Sequence, residues 1–248
     1  MIILKSNEEI GLMREAGRIV AECHAKLAEA IKPGVATTAL DQLVEQHIRS
    51  RGAVPSFLGH HGFTASICVA KNDVICHGFP DDQPLEEGDV VTIDIGAHYR
   101  GYHGDSGWTY AVGTVSDDIR QLMDACHQSL FLGIEQAVAG NRVGDIGFAI
   151  QTFADRHGYG NVRDFTGHGI GQELWEEPPI PHYGRSGTGP RLKQGMVIAI
   201  EPMLTLGDYH AYVESDGWTA RTADHSICVQ YEHTVAITDN GPEILTKL

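Results

Sequence analysis

Val-Val-Thr-Ile-Asp-Ile-Gly-Ala-His-Tyr-Arg-Gly-Tyr-His-Gly-Asp-Ser-Gly-Trp-Thr-Tyr-Ala-Val, residues Val90 to Val112, reads as two strands joined by a tight turn. Val90 to His98 is rich in β-branched residues, and Arg100-Gly101 supplies turn chemistry. Folding about Tyr99-Arg100 sets Asp94 opposite Asp105, on one side of the sheet. The segment is too apolar to be surface. Two adjacent carboxylates repel, and burying either costs several kcal/mol or more. A positive species is expected between them, and a metal ion is the simplest choice.

The 248 residues suffice for a substantial core, and we expect one catalytic domain over 1–248 with internal halves of about 1–113 and 114–248. A net charge of −15 argues against direct nucleic-acid binding, which wants a basic face. The five cysteines (Cys23, Cys68, Cys76, Cys126, Cys228) are odd in number and form no C-x-x-C, so a disulfide framework or cysteine zinc site is not expected. Ile2-Ile3-Leu4 runs at once into charges and does not read as a signal peptide. No apolar run approaches the ~18 residues of a membrane span. A cytoplasmic chain that does not engage membranes is expected.

Ser6-Asn7-Glu8-Glu9 forms a capping box before a helix carrying Met13, Ala16, Val20 and Leu27 and closed by Pro33-Gly34. A second helix starts near Thr37-Thr38, carries Leu40, Leu43, Val44 and Ile48, and stops at Gly52. A short strand, Ala65 to Ala70, precedes the hairpin. Beyond it the plan repeats: Ser116 caps a long helix ending at Gly140-Asn141, and a shorter one stops at Gly158. An offset of 106 residues superposes Met13 on Ile119, Leu40 on Ile146 and Gly52 on Gly158. The same offset carries Asp94 to within one residue of Glu201, an acid in the apolar run Met196 to Pro202. Glu232 opens the last β-like run, Tyr231 to Ile237. This alternation indicates an α+β fold, with strands from both halves turning acids toward a common centre.

The candidate ligands are therefore Asp94, Asp105, Glu201, Glu232 and His168, the last in Thr-Gly-His-Gly-Ile-Gly. Singly, each has a dull explanation as a cap, a loop residue or a strand end. Jointly, four acids in apolar β-runs are unusual. Four carboxylates balance two divalent cations, and an oxygen-rich set with one nitrogen suits Mn, Fe, Co or Zn. Two such ions ~3.5–4 Å apart make a water acidic enough to attack a carbonyl or phosphoryl group. The negative walls favour a substrate that carries an amine.

In the contexts Thr-Ile-Asp-Ile-Gly, Tyr-His-Gly-Asp, Gly-His-Gly-Ile-Gly, Ile-Glu-Pro-Met and Gln-Tyr-Glu-His-Thr, these five residues resemble the type I methionine aminopeptidase family over nearly the whole chain. The resemblance implies the pita-bread fold: two pseudo-twofold halves with a central antiparallel sheet flanked by helices. It implies a dinuclear site in which Asp105 and Glu232 bridge, Asp94 completes one ion, and His168 and Glu201 complete the other. Glu201 would be the base, and His77 would contact the substrate near the scissile bond. The substrates implied are N-terminal peptides, including nascent chains at the ribosome, and a monomer is expected. The interval from His168 to Glu201 has no room for the type II family's helical insert.

Two departures stand out. Trp175 occupies the place where the family usually has a substrate-contacting histidine, and an indole can donate a hydrogen bond but cannot accept one or carry a proton. By motif position the first-residue pocket would be lined by Phe57, His60, Phe63, Cys68, Leu174 and Trp218. Of these, Phe63, Cys68 and Trp218 suit a thioether. His60 and Leu174 replace aromatics usual in the family, and Phe57 replaces a smaller residue. The leading expectation is removal of N-terminal methionine. The alternatives are a same-fold aminopeptidase of other specificity, such as Xaa-Pro cleavage, or a low-activity peptide-binding paralogue. His98, His127 and His182 read as surface or structural.

Overall fold

The computed structural model describes residues 1–248. In chain order the elements are α1 (Asn7–Ala30), α2 (Thr37–Ser50), β1 (Val54–Pro55), β2 (Ile67–Lys71), β3 (Val74–Cys76), β4 (Val90–Tyr99) and β5 (Tyr102–Ala111). There follow α3 (Asp117–Glu135), α4 (Val143–His157), β6 (Gly160–Asn161), β7 (Gly167–Gly169), β8 (Glu176–Ile180), β9 (Val197–Ile200) and β10 (Met203–Thr205). The chain closes with β11 (Ala211–Val213), β12 (Ala220–Thr222), β13 (Cys228–Gln230), β14 (His233–Thr238) and β15 (Gly241–Ile244).

The helix starts are those the sequence encodes. The Ser6 hydroxyl accepts from the Glu9 amide at 3.3 Å while the Glu9 carboxylate accepts from the Ser6 amide at 2.7 Å. The Ser116 hydroxyl accepts from the Ile119 amide. The helix ends fall earlier than expected: α1 stops at Ala30, ahead of Pro33-Gly34, and α3 at Glu135, ahead of Gly140. Gly52 and Gly158, paired by the 106-residue offset, both close their helices with left-handed backbone (φ 74° and 75°).

The hairpin corrects the expected register. Its turn is Arg100-Gly101, with φ of 48° and 90°, a two-residue connection in which both positions take positive φ. Tyr99 therefore faces Tyr102, Asp94 faces Gly107, and Asp105 faces Gly96. The two aspartates are diagonal neighbours on one face rather than directly opposed. Each has a glycine across from it, and the space is used: a Cβ at Gly107 would lie 3.3 Å from a Glu232 carboxylate oxygen.

Strand period separates core from site. Val91, Ile93, Ile95 and Ala97 of β4 pack with Ile19, Leu27, Leu40, Val44 and Ile48 of α1 and α2. The alternate residues, Asp94 among them, face the other way. In the second half Ile198, Ile200, Val235 and Ile237 pack against Leu122, Leu130, Ile146 and Ile150 of α3 and α4. Two antiparallel sheets result, β1-β4-β2 with β5 on β4, and β15-β14-β9-β7-β8; two three-stranded sheets flank them. The large sheets meet where β5 runs beside β14. Thr234 Oγ1 accepts from the Asp105 amide (3.0 Å) and donates to the Asp105 carbonyl (2.7 Å). The Glu232 amide donates to the Gly107 carbonyl, and Ser106 Oγ donates to the Glu232 carbonyl. No helix is long and apolar enough to cross a membrane.

A close backbone contact seats the hairpin on α1. A Cβ at Gly104 would lie 2.6 Å from the Gly17 nitrogen. Gly104→Ala is therefore expected to lower stability by ~1–3 kcal/mol through forced separation of β5 and α1. Urea denaturation measures this; a midpoint equal to that of the native chain would show the contact to be slack.

Candidate functional site

Asp94, Asp105, His168, Glu201 and Glu232 line one cavity of about 230 Å³, together with Phe57, Cys76, His77, Phe165, Thr166 and Trp175. The elements explain the convergence. Asp94 and Asp105 project from the hairpin, Glu201 follows β9 in register with the site-facing Val197 and Ala199, and Glu232 precedes β14. His168 is the central residue of β7, which pairs with β9.

The cluster is electrostatically unsatisfied. Asp94 Oδ1, Asp105 Oδ1 and both Glu232 oxygens are buried without a hydrogen-bond partner. Burial pushes the Asp94 carboxyl up to about 6. Burial, reinforced by the neighbouring carboxylates, holds Asp105, Glu201 and Glu232 well above the usual carboxylate range. No lysine or arginine lines the cavity to offset this charge.

His168 is held neutral, with one ring nitrogen turned to the acids. Its Nδ1 lies 2.9 Å from the Gly169 carbonyl and donates to it, so Nε2 keeps its lone pair. That Nε2 faces the acids, 3.8 Å from Asp105 and 3.7 Å from Glu201. Burial lowers the imidazole to about 4, so it is not the positive partner near neutral pH. Ligand atoms of Asp105, His168 and Glu232 lie within 4.8 Å of one another. Unpartnered buried carboxylate oxygens beside one imidazole lone pair form a donor set fitted to divalent cations.

His77 lies at the cavity wall with left-handed backbone (φ 58°), a strained conformation for a non-glycine residue. Burial lowers its pKa, and its ring stands edge-on to Phe165 and Trp218. Next to it is a small apolar recess lined by Phe57, His60, Phe63, Cys68, His77, Trp175 and Trp218. Five of the six residues expected to form the first-residue pocket are therefore together. Leu174 is the exception: only 1% exposed, it packs in the apolar cluster around Phe57, Phe63 and Cys68 and does not line the recess.

Two supporting residues were not assigned to the site from sequence: Gln230, which went unnamed, and His182, which read as surface or structural and proves structural and buried. Gln230 Nε2 donates to Glu201 Oε2 at 3.3 Å; its place two residues before Glu232 was an available cue. His182 is fully buried, and its Nε2 accepts from the Glu201 amide at 3.1 Å. No local motif marks it. Removing that acceptor leaves a buried N–H unpaired, so His182→Ala is expected to cost ~1–3 kcal/mol. His182→Gln, which restores an acceptor, should recover part of the loss in thermal unfolding; equal loss in both variants would assign the cost to packing alone.

Comparison with known proteins agrees with this geometry. The model of metallopeptidase family M24 matches residues 11–239. Methionine aminopeptidase 1 of Bacillus subtilis is 49% identical over 248 residues, covering 100% of both chains. The methionine aminopeptidase of Clostridium acetobutylicum is 49% identical over 247 residues, covering 99% of each. The crystal structure of methionine aminopeptidase from Rickettsia prowazekii superposes with a TM-score of 0.98 at 41% identity, over 99% of this chain and 100% of that one. Prolidase from Pyrococcus furiosus superposes with a TM-score of 0.80 at 28% identity, over 99% of this chain and 66% of that one. With its α+β pita-bread fold, the chain belongs to metallopeptidase family M24, in the methionine aminopeptidase branch.

Proposed function

We propose that the protein is a metal-dependent aminopeptidase that removes methionine from the N-termini of peptides and nascent proteins. The observation that carries this reading is the set of four carboxylates and one imidazole, buried at Asp105 and Glu232 and half-buried at Asp94, His168 and Glu201, opening beside an apolar, sulfur- and aromatic-lined recess. Asp94, Asp105, His168, Glu201 and Glu232 would hold two divalent cations, with Mn, Fe, Co and Zn as the candidates. Bound there, the ions supply Lewis acidity for the scissile carbonyl and lower the pKa of water.

The side chains do the rest. The acidic walls draw the free α-amine of a peptide and disfavour an anionic substrate. Glu201, steadied by Gln230 and by His182 behind its amide, takes the proton of the attacking water. His77 faces the same space and stabilises the scissile amide by hydrogen bonding. The Phe63, Cys68 and Trp218 walls match an unbranched thioether. Trp175 can donate only from its indole nitrogen, so one acid–base group usual in the family is missing. A monomer acting in the cytoplasm is the setting this reading implies.

Turnover of a methionyl-alanyl peptide should appear on titration with Mn, Co, Fe or Zn and vanish with a chelator. Asp105→Asn should lower kcat/KM by at least ~10²-fold. Binding of the peptide without turnover under every ion would overturn the enzyme reading. Trp175→His should raise kcat/KM by up to ~10²-fold through kcat, and an unchanged kcat would count against a missing polar group.

A pH effect follows from the raised carboxyls. Between the ordinary carboxylate pKa near 4 and the folded value of about 6 for Asp94, the cation-free native state binds protons that the unfolded chain has lost. The cluster's contribution to stability therefore falls as pH rises through that window. Bound cations cancel this penalty. The rise in Tm on adding Mn should grow between about pH 5 and pH 7.5, and an increment independent of pH would place the ion elsewhere. Buried His24, whose pKa is lowered to about 4, shifts stability in the opposite sense with or without the ion and cancels in the difference.

A further inference from the structure

The recess beside His77 has room for about 10 Å³, space for one water at most. A methionine side chain cannot occupy it unless a wall moves. Phe57, His77 and Trp175 line both this recess and the carboxylate cavity, so they form the partition between the two. A bound peptide with its amine at the acids and its first side chain in the recess must cross that partition.

The three differ in freedom. Phe57 is buried and packs edge-on against Phe63. His77 is held between Phe165 and Trp218, just beyond the end of β3. Trp175 is 42% exposed, and its side chain makes no hydrogen bond. It rests edge-on against His60 at 4.6 Å between ring centroids, with the His61 ring near-parallel at 6.0 Å. Those two histidines sit in a turn where Gly59, His61 and Gly62 all take positive φ (87°, 45° and 89°). The partition's one weakly held member thus rests on a turn that holds His61, a non-glycine residue, in left-handed backbone.

We propose that Trp175, seated against His60, is the gate of the first-residue recess and a determinant of which first side chains are accepted. This rests on the aminopeptidase reading of the site. The indole swings off His60 to admit a slender, unbranched chain and resists one that branches at Cγ. Trp175 thereby selects methionine over leucine, side chains of similar bulk and different shape.

Two measurements on the full-length protein test this. L-Methionine is mixed with the Mn-loaded protein in stopped flow, read by Trp218, which lines the recess and is kept in every variant. The native chain should show an observed rate that reaches a ceiling with methionine concentration, the rate of gate opening. Trp175→Ala should lift the ceiling, as should His60→Ala, which removes the seat from the other side. In steady-state assays Trp175→Ala should also narrow the preference for methionyl-alanyl over leucyl-alanyl peptide by ~10-fold. Linear, identical association in all three proteins with an unchanged preference would overturn the gate. If no ion supports hydrolysis, the aminopeptidase reading falls, and the ceiling and its removal still decide the gate.

Discussion

Mutual repulsion among four carboxylates taken out of water is the constraint on which this structure turns. Each costs several kcal/mol to bury as an ion, and their proximity adds to that cost. The fold nonetheless places them around one cavity with no lysine or arginine facing them and with His168 kept neutral. Such an arrangement stores a standing demand for positive charge. Glycines across from Asp94 and Asp105 leave room for the acids to converge, Gln230 and His182 hold Glu201 by its carboxylate and its amide, and the Gly169 carbonyl orients His168.

The halves of the chain are bound together by the same groups that build the site. Thr234 closes a reciprocal pair of hydrogen bonds with Asp105, and the Glu232 amide reaches Gly107. These bonds cross from one sheet to the other, so the relative position of the two helix-backed layers and the spacing of the acids are one geometric fact. Each layer has its own apolar cluster against its own helices, and the acids occupy the opposite faces.

Much of this was legible in the sequence because strand parity and helix caps are local. Alternation in Val91, Ile93 and Ile95 put Asp94 on the face away from the helices whatever the register. The hairpin's turn was misplaced by one residue because Tyr99-Arg100 and Arg100-Gly101 both look like turns; only the pair able to take positive φ twice fits. That error put Asp105 in place of Gly107 as the partner of Asp94 but kept both acids on one side, since the slip was two positions in register. His182 was not legible: its role depends on a fully buried contact 19 residues along the chain, without a motif. Leu174 was assigned to the recess by position in a motif, yet motif position does not reveal which way a side chain points.

The distribution of the acids also sets an order of events during synthesis. Asp94 and Asp105 leave the ribosome long before Glu201 and Glu232, and neither pair alone creates the full demand for cations. The hairpin can therefore fold while its face is still only half charged, and the repulsion that begins between Asp94 and Asp105 grows when the second sheet docks along β5 and brings Glu201 and Glu232 beside them. On the two-cation reading proposed above, ion capture would be tied to completion of the fold, and a half-made chain would be a poor scavenger of metal.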